Sequence, residues 1–143
     1  MKVEIKEGFT DTEVLIKCPE LTDDIRKIKS LLLHDFEKKL SAVKDGVTHL
    51  IRKQDIFYFE SVDKRSYLYT ANEVYEVFLK LYEIEAIDIN YFRNSKSQIL
   101  NIAKIESLRP DFDGRMEVML KNKEKVIVSR QYAKILKERL GLK

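Results

Sequence analysis

The chain has a single cysteine, two histidines, four glycines, two prolines and no tryptophan in 143 residues. One cysteine excludes an intramolecular disulfide and fits a reducing compartment. Cys18 ends an apolar alternation, so it reads as a small buried residue rather than a nucleophile. Together with His34 and His49 it supplies no metal-ligand set at a recognised spacing. The glycines form no phosphate-cradling loop, and no Ser–His–Asp order with an elbow motif or helix-borne His pair occurs. Asp111 and Asp113 flank Gly114, where the turn preference of Asp explains them without acid–base chemistry. The expectation is therefore no enzyme, no cofactor, no metal and no small-molecule substrate. The start, MKVEIKEGFTD, lacks the apolar run of a signal peptide, and the longest apolar runs are a few residues. Neither a leader nor a membrane span is expected, and the protein reads as cytoplasmic.

Charge is plentiful at both signs but unevenly placed. Residues 1–88 carry 14 Lys and Arg against 18 Asp and Glu, whereas residues 89–143 carry 13 against 6. A basic C-terminal third points to a polyanionic partner. The length suits one domain with a small N-terminal unit.

Val3 with Ile5, and Val14 with Ile16, alternate with polar residues and predict two short strands around a turn at Gly8. Thr22 reads as an N-cap, with Asp23 and Asp24 in the first helical turn. Ile25, Ile28, Leu31, Leu32 and Phe36 then predict an amphipathic helix over 23–37, whose stripe either covers the main domain or pairs with a second copy. From Lys39 the period becomes two. Leu40, Ala42, the turn Asp45-Gly46, Val47, His49 and Ile51 predict a hairpin, with His49 as a strand residue. Residues 54–62, QDIFYFESV, read as an apolar strand. Asp63-Lys64-Arg65-Ser66 is a tight connection, and Tyr67, Tyr69, Val74, Tyr75 and Val77 continue the sheet. One or two helical turns fall within 78–86. Met116, Val118 and Leu120 form a strand, Asn122-Lys123 a turn, and Val126 and Val128 another strand. Ser129 caps a last helix carrying Tyr132, Ile135, Leu136 and Leu140, ended by Gly141.

The stretch Tyr91–Val118 organises the chain. It sets Arg93, Asn94, Ser95, Lys96, Ser97 and Gln98 in a row between ordered segments, a donor-rich cluster suited to phosphates or base edges. Lys64 and Arg65 mark a second basic tip. Arg130 and Gln131, in the first turn of the last helix, mark a third, where backbone N–H groups also face outward.

In this order and spacing, IFYFESVDKRSYLYT, YFRNSKSQILNIAKIESLRPDFDGRMEV and VSRQYAKILKERL resemble the LytTR DNA-binding domain, an output domain of many bacterial transcription regulators. The resemblance covers roughly residues 38–141. It implies a mostly-β (α+β) fold of elongated antiparallel β-sheets with short helices, here 38–143, preceded by a β-β-α N-terminal extension, 1–37. It implies binding of duplex DNA through loops, as two copies on direct repeats. The positions it assigns to DNA are Lys64, Arg65 and Ser66; Arg93, Asn94, Ser95, Lys96 and Ser97; and Ser129, Arg130 and Gln131. Within the middle group Lys96 is expected to read a base edge, with Arg93 and Ser97 anchoring phosphates. Two departures bear on base preference: Ser95 stands where many members have His, and Gln131 where many have Arg. A phosphoacceptor receiver takes about a hundred residues, so the chain resembles a stand-alone, response regulator-like member.

The expected function is a sequence-specific DNA-binding transcription regulator, working as a homodimer. A protein–protein adaptor with an incidental basic patch is the alternative from another class. An RNA-binding module stacking bases on Tyr and Phe is a further one.

Overall fold

The computed structural model describes residues 1–37 and 39–142. The expected domain boundary at Lys38, and the side chains of His34 and Phe36, lie outside what is described. The elements are α1 (Asp23–Glu37), β1 (Lys39–Lys44), β2 (Val47–Arg52), β3 (Tyr58–Val62), β4 (Arg65–Tyr69), β5 (Val74–Val77), α2 (Leu81–Glu85), β6 (Tyr91–Ser95), β7 (Gln98–Asn101), β8 (Ile105–Pro110), β9 (Met116–Leu120), β10 (Lys125–Val128) and α3 (Arg130–Arg139). Every strand pairing is antiparallel. One sheet has seven strands in the order β2-β1-β5-β4-β3-β7-β6, and the other has three in the order β10-β9-β8. The mostly-β architecture with short helices is the one expected.

The apolar run of β3 is continuous because the strand is covered on both faces. Tyr58 turns into a core shared with β9, β10 and α3, while Phe59 turns into a core shared with β1, β4 and α2. β6 and β7 divide in the same way, through Phe92 and Tyr91, and through Leu100 and Ile99. These three strands are the wall between the two cores. Asn101, at the end of β7, is buried, with its amide nitrogen and its amide oxygen each hydrogen-bonded. Its Nδ2 donates to Ile56 O at 2.7 Å and its Oδ1 accepts from Ala103 N–H at 3.1 Å. The second sheet is tied to the first where Tyr58 donates to Glu124 Oε2 at 2.9 Å. Burial, and then the bond to Glu124, push the Tyr58 hydroxyl far above its ordinary pKa, so it stays a donor at any physiological pH.

The hairpin turn at Asp45-Gly46 forms as expected, with Lys44 paired to Val47. The strand foreseen over 54–62 starts later. Residues 53–55 make one 3₁₀ turn, fastened where Arg52 donates to Asp55. Ile56 and Phe57 are buried ahead of the strand; Phe57 already bonds to both neighbours, its N–H donating to Tyr69 O at 2.8 Å and its carbonyl accepting from Asn101 N–H at 3.0 Å. The connection at 63–66 is shorter than expected, since Arg65 and Ser66 already belong to β4 and only Asp63 and Lys64 form the loop.

The N-terminal extension differs most. α1 forms, with the Thr22 hydroxyl accepting from Ile25 N–H at 3.4 Å. The two strands expected at Val3–Ile5 and Val14–Ile16 do not form: residues 1–22 hold no regular secondary structure. An isolated hairpin has no sheet to bury its apolar face against and is marginal by itself. Cys18, expected to be buried, is exposed for the same reason. Among the described side chains, none of residues 1–33 enters either core.

Candidate nucleic-acid interface

Three tips lie side by side because the wall strands end together. Ser61 N–H, at the end of β3, donates to Ser97 O in the β6–β7 turn at 2.7 Å. Ser129 N–H, ahead of α3, donates to Asn94 O in β6 at 2.9 Å. Two backbone hydrogen bonds thus stitch the β3–β4 turn to the β6–β7 turn, and the β6–β7 turn to the start of α3. The three groups chosen from the sequence are brought to one end of the molecule.

Within them the residues divide by exposure. Lys64, Arg65, Lys96, Ser97, Arg130 and Gln131 are exposed, Arg93, Ser95 and Ser129 are half-buried, and Ser66 and Asn94 are buried. Ser66 faces Ser61 and Val77 across the ladder. Asn94 is fully buried. Its Nδ2 donates to Gln98 Oε1 at 2.7 Å and to Ile127 O at 3.3 Å, binding the turn to β10. A side chain enclosed in this way cannot meet a ligand from outside; Asn94 acts by holding the tips together. That role was missed in the sequence, because a polar run gives no sign of which amide turns inward.

Arg93 directs two of its donors inside the protein. Its Nε lies 2.6 Å from Glu85 Oε1 at the end of α2, and its Nη1 donates to Lys96 O at 2.9 Å. The guanidinium thereby clamps the turn that carries Lys96. Arg65 stands 4.0 Å from Glu76. Among the described residues, no ion pair engages Lys64, Lys96 or Arg130. Each therefore offers an unneutralised charge.

Two local backbone choices serve these cations. Asp63 and Lys64 both take positive φ, +50° and +67°, closing a two-residue loop between Val62 and Arg65. The two-residue loop Asp45-Gly46 uses glycine at its second place. A non-glycine residue in the left-handed region costs about 1–2 kcal/mol, and the chain bears it at the tip where lysine sits. At the β8–β9 connection Gly114 has φ +80°, and a Cβ there would lie 3.1 Å from Arg130 Cγ. The Asp113-Gly114 turn read from the sequence is therefore also the floor on which Arg130 rests. Ser129 takes the N-cap position expected for it, but its hydroxyl makes no capping bond; its carbonyl instead accepts from Tyr132 and Ala133.

The LytTr DNA-binding domain family matches over residues 46–141. The chain belongs to that family. An uncharacterized HTH-type transcriptional regulator of Staphylococcus aureus strain NCTC 8325 is 30% identical over 141 residues, covering 96% of this chain and 95% of that protein. A protein of the same description from strain MSSA476 is 30% identical over 136 residues, covering 93% and 92%. A solved LytTr DNA-binding domain from Bacillus cereus superposes with a TM-score of 0.70 at 22% identity, covering 74% of this chain and 99% of that one, which shows a common fold. The relatives' helix-turn-helix label has no counterpart among the described residues, where strands separate all three helices.

Lys64→Gly should relieve the strained loop and raise stability by about 1 kcal/mol while weakening duplex binding. Thermal melts and a duplex titration on the same sample check the opposite signs. Glu85→Gln separates two roles for Arg93. If the clamp positions the turn, the variant binds duplex more weakly; a released guanidinium that anchored phosphate would bind more tightly. The expected outcome is weaker binding.

Proposed function

We propose that the chain is a cytoplasmic, duplex-DNA-binding transcriptional regulator that contacts DNA through its two hairpin tips and the start of α3. The observation that carries this reading is the stitched end of the wall strands. It presents Lys64, Lys96 and Arg130, which no ion pair engages among the described residues. Lysine and arginine anchor phosphates without sequence information, and side chains reaching base edges in the major groove supply it. Lys96 projects from the β6–β7 turn, exposed and clamped from below by Arg93. It is the side chain proposed to read a base. Lys64, Arg65, Ser97, Arg130 and Gln131 hold the duplex around it. No helix of the described residues is long and apolar enough to cross a membrane. Residues 38–143 form the DNA-binding unit in this proposal. The extension 1–37 serves assembly, so that two copies occupy direct repeats.

Binding should fall steeply with salt. About six phosphate contacts give a log–log slope near −5 by counterion release, read from duplex titrations across salt concentrations. A slope near zero, or no duplex binding at low salt, would return the adaptor reading. Lys96→Ala should cost roughly 1–3 kcal/mol on the preferred site and relax discrimination at one base pair. Selection of bound duplexes from a random pool, run with the parent and with the variant, reads both effects.

A further inference from the structure

Two parts of the chain lack the partner that their pattern calls for. The first is the arm of residues 1–22. Lys2, Val3, Glu4, Ile5 and Lys6 alternate as a strand with one apolar side does. Lys2 Nζ and Glu4 Oε1, two residues apart, lie 2.9 Å from one another on a common side, as in extended chain. Yet Val3 is 78% and Ile5 86% exposed, and no sheet receives them.

The second is the outer edge of the seven-stranded sheet. β2 is the terminal strand there. Its two-residue loop makes Lys44 and Val47 a hydrogen-bonded pair. Bonded pairs alternate along an antiparallel ladder, so the backbone N–H and C=O groups of Thr48 and Leu50 turn away from β1. Leu50 is 67% exposed. Native sheets blunt such edges with bulges, proline, inserted charge or a covering element. The opposite edge, β6, has a register shift between Arg93 and Ser95 and lies under α3 and β10. In the smaller sheet, edge strand β8 carries a register shift, Glu106, Arg109 and a terminal Pro110. β2, Val-Thr-His-Leu-Ile-Arg, has none of these among the described residues until its last residue.

We infer that the N-terminal arm of one copy adds as a strand to the β2 edge of a second copy, with Val3 and Ile5 meeting the exposed Leu50. Charge favours the contact: the arm, residues 1–22, holds 3 basic against 5 acidic side chains, and the β1–β2 hairpin with the turn after it, residues 39–55, holds 4 against 2. Strand addition satisfies outward backbone groups and buries apolar side chains at once. The inference locates the self-association that the proposed function requires. It is tested without DNA, so its failure leaves the DNA reading standing.

The test uses full-length chains, with sedimentation velocity over a range of concentrations. Wild type should form a dimer. Ile5→Lys and Leu50→Lys, both at exposed positions, should each sediment as monomers with melting temperatures showing an intact fold. Each variant spoils one half of the junction only. Mixing them leaves one intact arm facing one intact edge, so the mixture should regain a heterodimer. A monomeric wild type, or a mixture that stays monomeric at the highest concentration, overturns the inference. So does a dimer that survives Ile5→Lys, which would mean that β2 edges pair with one another, or one that survives Leu50→Lys, which would place the arm elsewhere.

Discussion

The fold depends on three strands being buried on both faces. β3, β6 and β7 each send one large side chain into either core at adjacent positions: Tyr58 and Phe59, Tyr91 and Phe92, Leu100 and Ile99. Burying a large apolar side chain is worth roughly 1.5–3 kcal/mol, so six of them at one wall outweigh any single contact elsewhere. A strand packed on both sides has almost no freedom to slip, because a shift of one residue would exchange the residues offered to the two cores. The ends of these strands are fixed by the same constraint.

That rigidity is what makes short tips useful for recognition. The proposed DNA-contacting side chains stand on turns only two residues long, at the first residue of β4, or on the first turn of a helix tied to β6 by a backbone hydrogen bond. Around them the chain divides its polar residues into those that face outward and those that hold the frame. Lys64, Lys96 and Arg130 belong to the first kind. Asn94, with its amide bound to Gln98 and β10, and Arg93, clamped between Glu85 and Lys96 O, belong to the second. Preorganised loops pay less ordering entropy when a ligand arrives, and the strained backbone at Lys64 is a local cost of placing a cation at a tight tip.

Among the described side chains, none of residues 1–33 has a share in this frame. The N-terminal helix forms from its own capping and spacing, whereas the strand-patterned arm finds no sheet in its own chain. An arm with exposed Val3 and Ile5 and an edge with exposed Leu50 are complementary deficits. One contact between copies would remove both.

The sequence by itself determined the elements whose signals are local. The 3.6-residue spacing after Thr22 specified α1. Asp45-Gly46 and Asp113-Gly114 specified turns, because glycine accepts positive φ there. The alternation through β9 and β10 specified strands, and the order of polar clusters specified three tips. Resemblance to LytTR domains added the use of those tips. Tertiary structure decided the rest. Whether the alternating segments Val3–Ile5 and Val14–Ile16 become strands depends on a neighbouring edge, which no local pattern encodes. The division of the Arg93–Ser97 run into frame and exposed surface follows from a bulge in β6, from Glu85 at the end of α2, and from the arrival of Ser129 and Ile127 from a distant part of the chain. Local propensity fixes what a segment can be. Which polar group is enclosed and which meets solvent is set by the partners that packing brings to it, and those partners are remote in sequence.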